Sequence, residues 1–170
     1  MKTQMFFNKA YTLFLIMGFC LVSTMSIGQE TEREYMAKLS FLMGDWKGES
    51  KGFTNGVASE PVIAYEKIQY LLDGDIMTLD LDSPKLKLHT VINYSLADSC
   101  YYYTPFTKSR SSKFKGQIDD KGRFLVYFNE SRHLIFERTP EGAFHEYGEQ
   151  LKDGKWEKYF EDLFYPTSKR

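Results

Sequence analysis

Histidine is the residue type in this chain whose chemistry is easiest to anticipate, and the chain has three: His89, His133 and His145. A metal site would need several of them on converging faces, and none of their spacings is that of a short ligand pair. His133 and His145 flank one predicted hairpin, so these two could meet across neighbouring strands. We expect surface or half-buried imidazoles and no metal site.

Carboxylates are numerous and could supply a general acid and a general base. Whether two of them meet depends on the register between strands, which the sequence does not reveal. We expect solvated outer faces with lysine partners for Glu66, Asp80, Glu137, Glu146, Glu149, Glu157 and Glu161. The chain has no Gly-x-Ser-x-Gly, phosphate loop, His-Glu-x-x-His or Cys-x-x-Cys motif. The sequence therefore predicts a protein that is not an enzyme.

The N-terminus has the order of features found in an export signal. The first ten residues carry two lysines and no acid, and residues 11–24 are almost wholly apolar. Small residues follow at Ser26 and Gly28, which suit positions −3 and −1 of a cleavage site. We predict a signal peptide over residues 1–28, a single domain over residues 29–170, and a periplasmic or extracellular location. The alternatives are an uncleaved membrane anchor and a lipoprotein.

The predicted mature segment carries 20 basic and 23 acidic residues, because Lys2 and Lys9 leave with the signal peptide. No basic excess remains to neutralise phosphates, so we expect no nucleic-acid partner. Cys20, the lipid site of the lipoprotein alternative, leaves as well. Cys100 is then the one remaining cysteine, which excludes an internal disulfide and suits a packed thiol. We expect a monomer with no membrane contact after cleavage.

Hydrophobic alternation is the strongest structural signal in the chain. Residues 85–96 alternate strictly and place Leu88, Thr90, Ile92 and Tyr94 on one face, as a half-buried antiparallel strand requires. The twelve tyrosines and fourteen phenylalanines also favour strands. Strands this regular need covered or closed edges. We therefore predict an all-β fold, an antiparallel up-and-down β-barrel of about eight to ten strands with a short N-terminal helix.

The elements can be placed from turn signals and periodicity. A helix over residues 31–39 is predicted to lie across the closed end of the barrel. The final segment fits a helix or a closing strand, and its Asp-Gly turn favours the strand. The predicted strands are residues 45–53, 60–72, 75–82, 85–96, 100–107 with an interruption at Pro105, 113–118, 123–129, 133–138, 144–151 and 156–165.

The segment that opens the first strand carries a family resemblance. Residues 39–48 read Leu-Ser-Phe-Leu-Met-Gly-Asp-Trp-Lys-Gly, and a late hairpin at residues 153–156 reads Asp-Gly-Lys-Trp. With these motifs the chain resembles the calycin group of lipocalin-like barrels, in particular exported bacterial lipocalin-like domains of unknown function and nitrobindin-like haem domains. The resemblance implies an eight- or ten-stranded barrel. Its Gly-x-Trp step makes Gly44 and Trp46 structural residues.

Three functions remain open on the sequence. The first is a binding module for a small apolar or amphipathic molecule, with no cofactor. Its interior wall would include Tyr65, Tyr94, Tyr102 and Tyr147, because tyrosine offers a large apolar ring and one orienting hydroxyl. The second follows from the nitrobindin resemblance, which implies haem with His145 as its proximal ligand. The third is an interaction protein whose barrel is filled with side chains.

Overall fold

The structure, a computed structural model, describes residues 30–167. The predicted signal peptide, residues 1–28, lies outside the described residues. Within the described part of the chain, no helix combines the length and the apolar character needed to cross a membrane.

A short helix, α1 (Glu32–Ala37), precedes the sheet. Thr31 begins it with a capping box: its hydroxyl accepts the Glu34 backbone N–H at 3.2 Å, and the Glu34 carboxylate accepts the Thr31 backbone N–H at 2.6 Å. A 3₁₀ turn (Ser40–Leu42) follows and leads into the first strand. Met36, Leu39 and Leu42 are completely buried. The helix therefore covers one end of the barrel, as predicted.

The described residues form one antiparallel sheet that closes on itself. The strands are β1 (Gly44–Thr54), β2 (Val57–Ala58), β3 (Val62–Leu71), β4 (Ile76–Asp82), β5 (Lys87–Ser95), β6 (Cys100–Phe106), β7 (Phe114–Ile118), β8 (Phe124–Asn129), β9 (Arg132–Arg138), β10 (Phe144–Lys152) and β11 (Lys155–Pro166). Each of β3 to β10 pairs with the strand that follows it, β1 pairs with β3, and β11 pairs back with β1. Only the two-residue β2 stays outside the barrel, so ten strands close it.

This architecture confirms the predicted all-β, up-and-down barrel, which is consistent with a lipocalin-like fold. The final segment, β11, is a strand. The predicted interruption at Pro105 is wrong, because β6 continues through it to Phe106. Pro105 pairs with Thr90 of β5, but it lies beyond the β6–β7 ladder, which covers only residues 101–103 of β6, so β7 makes no use of the N–H that proline lacks.

Aromatic side chains fill the barrel beneath α1, which we call the closed end. Phe124, Phe136, Phe144 and Phe164 are completely buried there. The ring of Phe144 lies 5.6 Å from that of Trp46 and 5.8 Å from that of Phe164, between ring centroids. Burial of each such side chain contributes about 1.5–3 kcal/mol to the free energy of unfolding.

Polar atoms at the closed end have partners. The Trp46 indole N–H donates to the Leu42 carbonyl at 3.0 Å, and the Tyr101 hydroxyl donates to the Tyr35 carbonyl at 2.7 Å. The Arg138 guanidinium lies 4.3 Å from the Trp46 ring, a cation–π contact. The closed end is therefore a fully packed and hydrogen-bonded plug.

A β-bulge in β11 changes which side chains face inward. Gly148 of β10 pairs with Phe160, but Glu149 pairs with Lys158, so Tyr159 is an extra residue on β11. The Tyr159 ring lies over Gly148, where a Cβ would come within 2.3 Å of it. The glycine and the bulge together bring a tyrosine to the interior that strict alternation would not place there.

Candidate functional site

Three acidic side chains lie inside the barrel, next to the packed closed end. Glu66 shares its face of β3 with buried Ala64 and Ile68. Glu146 lies two residues from completely buried Phe144, and Asp162 lies two residues from Phe164 in the same way. Side chains two positions apart on a strand face the same way. We call Glu66, Glu146 and Asp162 the interior carboxyl cluster.

Strand register brings two members of the cluster side by side. Glu146 of β10 and Asp162 of β11 are direct partners in the antiparallel ladder. Side chains in such a pair have Cβ atoms about 5 Å apart. Glu66 lies on β3, and its partner in the ladder between β3 and β1 is Trp46. The ten-stranded closure is therefore what places carboxyls from distant parts of the chain in one interior.

Two of these carboxyls, Glu66 and Asp162, have buried oxygens without hydrogen-bond partners. Glu66 is 2% exposed, and neither of its side-chain oxygens has a partner. Asp162 is 3% exposed, and its Oδ1 has none. None of the ion pairs within residues 30–167 includes Glu66, Glu146 or Asp162. An unsatisfied buried polar group costs about 1–3 kcal/mol, and more when it is charged.

The same burial raises the pKa values of all three groups. For Glu66 the causes are burial, then the charges of Glu146 and Asp162; for Glu146 they are burial and Asp162. Both glutamate pKa values lie well above the usual range. The pKa of Asp162 rises to about 6, because burial outweighs the opposing effect of the Ser50 hydroxyl. Mutual repulsion in a dry interior makes the cluster hold protons that solvated carboxyls would lose.

Hydroxyl groups complete the polar layer. Thr90 is completely buried and its Oγ1 has no partner, and the hydroxyl of Tyr159 is likewise buried and unpartnered. Tyr103, on the inward face of β6, is 3% exposed. Burial and the nearby charge of Glu146 raise its pKa well above the usual value. The layer thus offers carboxyl and hydroxyl oxygens whose hydrogen-bonding capacity is not met by the described residues.

The far end of the barrel, which we call the open end, is apolar and only partly buried. Its inward-facing side chains include Leu81, Leu88, Phe114, Phe128 and Phe160. A surface depression of about 350 Å³ adjoins it and is lined partly by Leu81 and Leu88. A larger depression of about 470 Å³ lies outside the closed end, beside Phe41 and Arg138. Along the barrel axis, the interior is therefore apolar at the open end, polar in the middle layer, and filled with aromatic side chains at the closed end.

The four tyrosines predicted as ligand-binding residues do not come together. Tyr94 faces inward but packs at the closed end, with its ring 3.9 Å from that of Tyr35. Tyr65 is on the outer face and 50% exposed. Tyr102 and Tyr147 also follow the outward alternation: Lys113 covers Tyr102 and Lys158 covers Tyr147. The inward-facing tyrosines of the polar layer are Tyr103 and Tyr159.

The carboxylate expectation is wrong for two residues. Glu66 and Glu146 were expected on solvated outer faces, whereas both lie inside the barrel because they share alternation with buried neighbours. Asp80 and Glu157 are exposed, as expected. Asp162 was not among the candidates. Its position in the pattern Phe160-x-Asp162-x-Phe164 is the sequence signal that could have placed it inside.

His145 lies on the outer wall between two carboxylates. Its Nδ1 is 2.9 Å from Glu137 Oε1, and its Nε2 is 3.0 Å from Glu161 Oε1. Both ring nitrogens are therefore engaged, and neither points into the barrel that would enclose a haem. His89 and His133 also lie beside one carboxylate each, Asp80 and Glu149.

Metal coordination is not indicated by the geometry. No group of three or more His, Cys, Asp or Glu side chains in the described part of the chain is placed to hold a metal ion. What the interior can do chemically is accept hydrogen bonds at its oxygens, donate protons from neutral carboxyls, and attract positive charge once those protons leave.

Comparison with known proteins finds no matching family model and no matching curated sequence.

Proposed function

We propose that this protein is a lipocalin-like binding module that holds one small amphipathic molecule inside its barrel. The observation that carries the proposal is the set of buried, unpartnered oxygens on Glu66, Asp162, Thr90 and Tyr159. Buried polar groups in native proteins almost always have hydrogen-bond partners. A bound molecule that supplies those partners would explain why the barrel keeps polar groups in its interior.

The gradient along the barrel supports an amphipathic ligand. A polar group would meet the carboxyl and hydroxyl oxygens of the polar layer. An apolar portion would lie among the partly buried side chains of the open end, where Leu88 and Phe128 still expose apolar surface. Binding sites for small molecules commonly combine apolar walls with a few convergent polar groups.

The remaining parts of the proposal follow the sequence. The module is exported to the periplasm or beyond, acts as a monomer, and carries its ligand without catalysis. It needs no resident cofactor. The packing of the closed end by Phe124, Phe136, Phe144 and Phe164 supports a site that is reached only from the opposite end.

Native mass spectrometry of the exported protein tests the proposal. The full chain is produced with its own signal, purified without detergent, and weighed under native and denaturing conditions. We expect an additional mass in the native spectrum that disappears on denaturation. A second measurement, titration calorimetry with n-octylamine, 1-octanol and octanoate, detects ligands that purification would remove.

Two substitutions at consecutive positions of β5 distinguish the interior from the surface. Leu88→Trp places a large ring in the open end, and Lys87→Trp places the same ring on the outer face. We expect the first variant to lose the additional mass or the probe binding and the second to keep both. Absence of any bound mass and of any probe binding in the wild-type protein would contradict the proposal and favour a filled, purely structural barrel.

A further inference from the structure

The side chains around the interior carboxyl cluster do not compensate the negative charge that its carboxyls carry when ionised. Three carboxyls share one desolvated interior: the charge of Asp162 raises the pKa of Glu146, and the charges of both raise the pKa of Glu66. From the outer face of the wall, His145 lowers the pKa of Asp162, and the charge of Glu161 raises it. Two buried like charges without counterions are strongly unfavourable. A group that stabilised all three in their ionised form would have to be positive.

The hydrogen-bonding requirement points the same way. The unpartnered atoms include both oxygens of Glu66 and Oδ1 of Asp162. Ionised carboxylates only accept hydrogen bonds, so in that form these atoms require donors. An ammonium group brings three N–H donors and no acceptor, and charge-assisted bonds of this kind are roughly twice as strong as neutral ones. An anionic head group would add repulsion and supply no donor.

We propose that the group recognised inside this barrel is an organic cation, namely the protonated primary amine of an amphipathic molecule, held by Glu66, Glu146 and Asp162. This inference rests on the proposed function, because it names the polar end of the ligand that the barrel holds. Thr90 and Tyr159 contribute additional oxygens in the same layer. The amine enters first, and the apolar remainder of the molecule lies toward the open end.

Cation binding has a proton signature that other ligands lack. The raised pKa values mean that the unliganded cluster holds more protons at a given pH than solvated carboxyls would. An ammonium group favours the ionised carboxylates, so binding expels protons to the buffer. Titration calorimetry at pH 7 in two buffers with different ionisation enthalpies measures this release. A neutral alcohol should bind, if at all, with the same heat in both buffers.

The test compares four probes that share an eight-carbon chain: n-octylamine, octyltrimethylammonium, 1-octanol and octanoate. We expect n-octylamine to bind at least about tenfold more tightly than each of the others, because charge-assisted hydrogen bonds add to the common apolar contact. Octyltrimethylammonium keeps the charge but has no N–H donor. Equal binding of that probe would overturn the primary-amine assignment.

Two conservative substitutions at neighbouring positions provide matched variants. Asp162→Asn removes one interior carboxyl, and Glu161→Gln removes the adjacent carboxyl on the outer face. We expect the first to weaken n-octylamine binding about tenfold or more and to reduce proton release, and the second, whose charge only raises the pKa of Asp162 from the outer face, to change both by much less. Circular dichroism confirms that each variant is folded, and the wild-type order of the probes tests the inference without any variant.

The outcomes separate this inference from the proposed function. Binding of 1-octanol or octanoate as tight as that of n-octylamine, without proton release, would overturn the cation inference and leave the binding module intact. Failure of every probe, together with a bare native mass, would overturn both.

Discussion

The two faces of the β10–β11 wall treat the same chemical group in opposite ways. Glu161 and Asp162 are consecutive residues of β11. On the outer face, burial raises the pKa of Glu161, but hydrogen bonds from Lys158, Lys51 and His145 outweigh it and bring the value to about 2. On the inner face, burial dominates and the pKa of Asp162 rises to about 6. Consecutive residues of a strand face opposite sides of the wall, so a carboxylate with hydrogen-bond partners stands next to a carboxyl that lacks one at Oδ1.

The difference shows which of the two carboxyl groups stabilises the folded state and which one destabilises it. The outer carboxylate is held by His145 at 3.0 Å and Lys51 at 2.8 Å, so it favours the folded state. The inner carboxyl has no comparable cation and disfavours the folded state when ionised. Residues that weaken a fold while lining an accessible interior are typical of functional sites. Substitutions of Glu161 and of Asp162 should therefore change the stability of the fold in opposite directions.

The largest effect is expected for Asp162→Asn. A pKa raised from 3.8 to about 6 contributes stability fully below pH 3.8, and that contribution is lost as the pH rises through about 6. The loss at pH 8 is about 2–3 kcal/mol. The variant should therefore be more stable than the wild type at pH 8 and nearly equal to it at pH 3.5. Urea unfolding at both pH values measures the difference, and a variant less stable at pH 8 would contradict the interior assignment.

Glu161→Gln should have the opposite sign and a smaller size. Its lowered pKa contributes stability above pH 4.5, which is lost as the pH falls through about 2. Replacing the carboxylate weakens charge-assisted bonds to His145, Lys51 and Lys158, at a cost of about 1–2 kcal/mol at pH 7. Urea unfolding at pH 7 provides the value. Stabilisation by this variant would show that the outer wall is as unsatisfied as the inner one.

Ser50→Ala sharpens the contrast within the interior. Ser50 is the register partner of Asp162 on β1, and its hydroxyl lowers the pKa of that carboxyl. Its removal should raise this pKa further and cost about 1 kcal/mol at pH 8. Asp162 is protonated at pH 3.5, so the cost there should be smaller. The pH titration of the Asp162 side chain by NMR checks the direction of the shift. An unchanged pKa would show that the Ser50 hydroxyl does not act on the Asp162 carboxyl.

The sequence predicted the barrel well because period-two alternation and turn residues act locally. Strict alternation over residues 85–96 and the Asp153-Gly154 turn are readable without any partner strand. The helix that covers the closed end also followed from local periodicity, over residues 31–39. The site was harder, because the meeting of Glu146 with Asp162 depends on register, which no local pattern states.

The interior tyrosines show the same limit. A Tyr triplet must alternate, and the sequence favoured Tyr102, whereas the structure turns Tyr101 and Tyr103 inward. This is a shift of one residue, which exchanges the two faces of a strand. Tyr159 faces inward only because of the bulge opposite Gly148 and Glu149. Glu66 carried a readable signal, since it lies between Ala64 and Ile68, but a charged residue in a strand was interpreted as solvated.

Lys51→Gln has the smallest expected effect on stability and serves as a control for the other substitutions. Lys51 lies 2.8 Å from Glu161, but its side chain is 39% exposed, so water already screens the pair. An exposed ion pair contributes about 0–1 kcal/mol and less at high salt. Urea unfolding at low and at 1 M salt should therefore show a small loss that disappears with salt. The Asp162→Asn gain should survive the same salt, because ions do not reach the barrel interior. Salt sensitivity of both variants would place both carboxyls in water and would remove the distinction between the two faces.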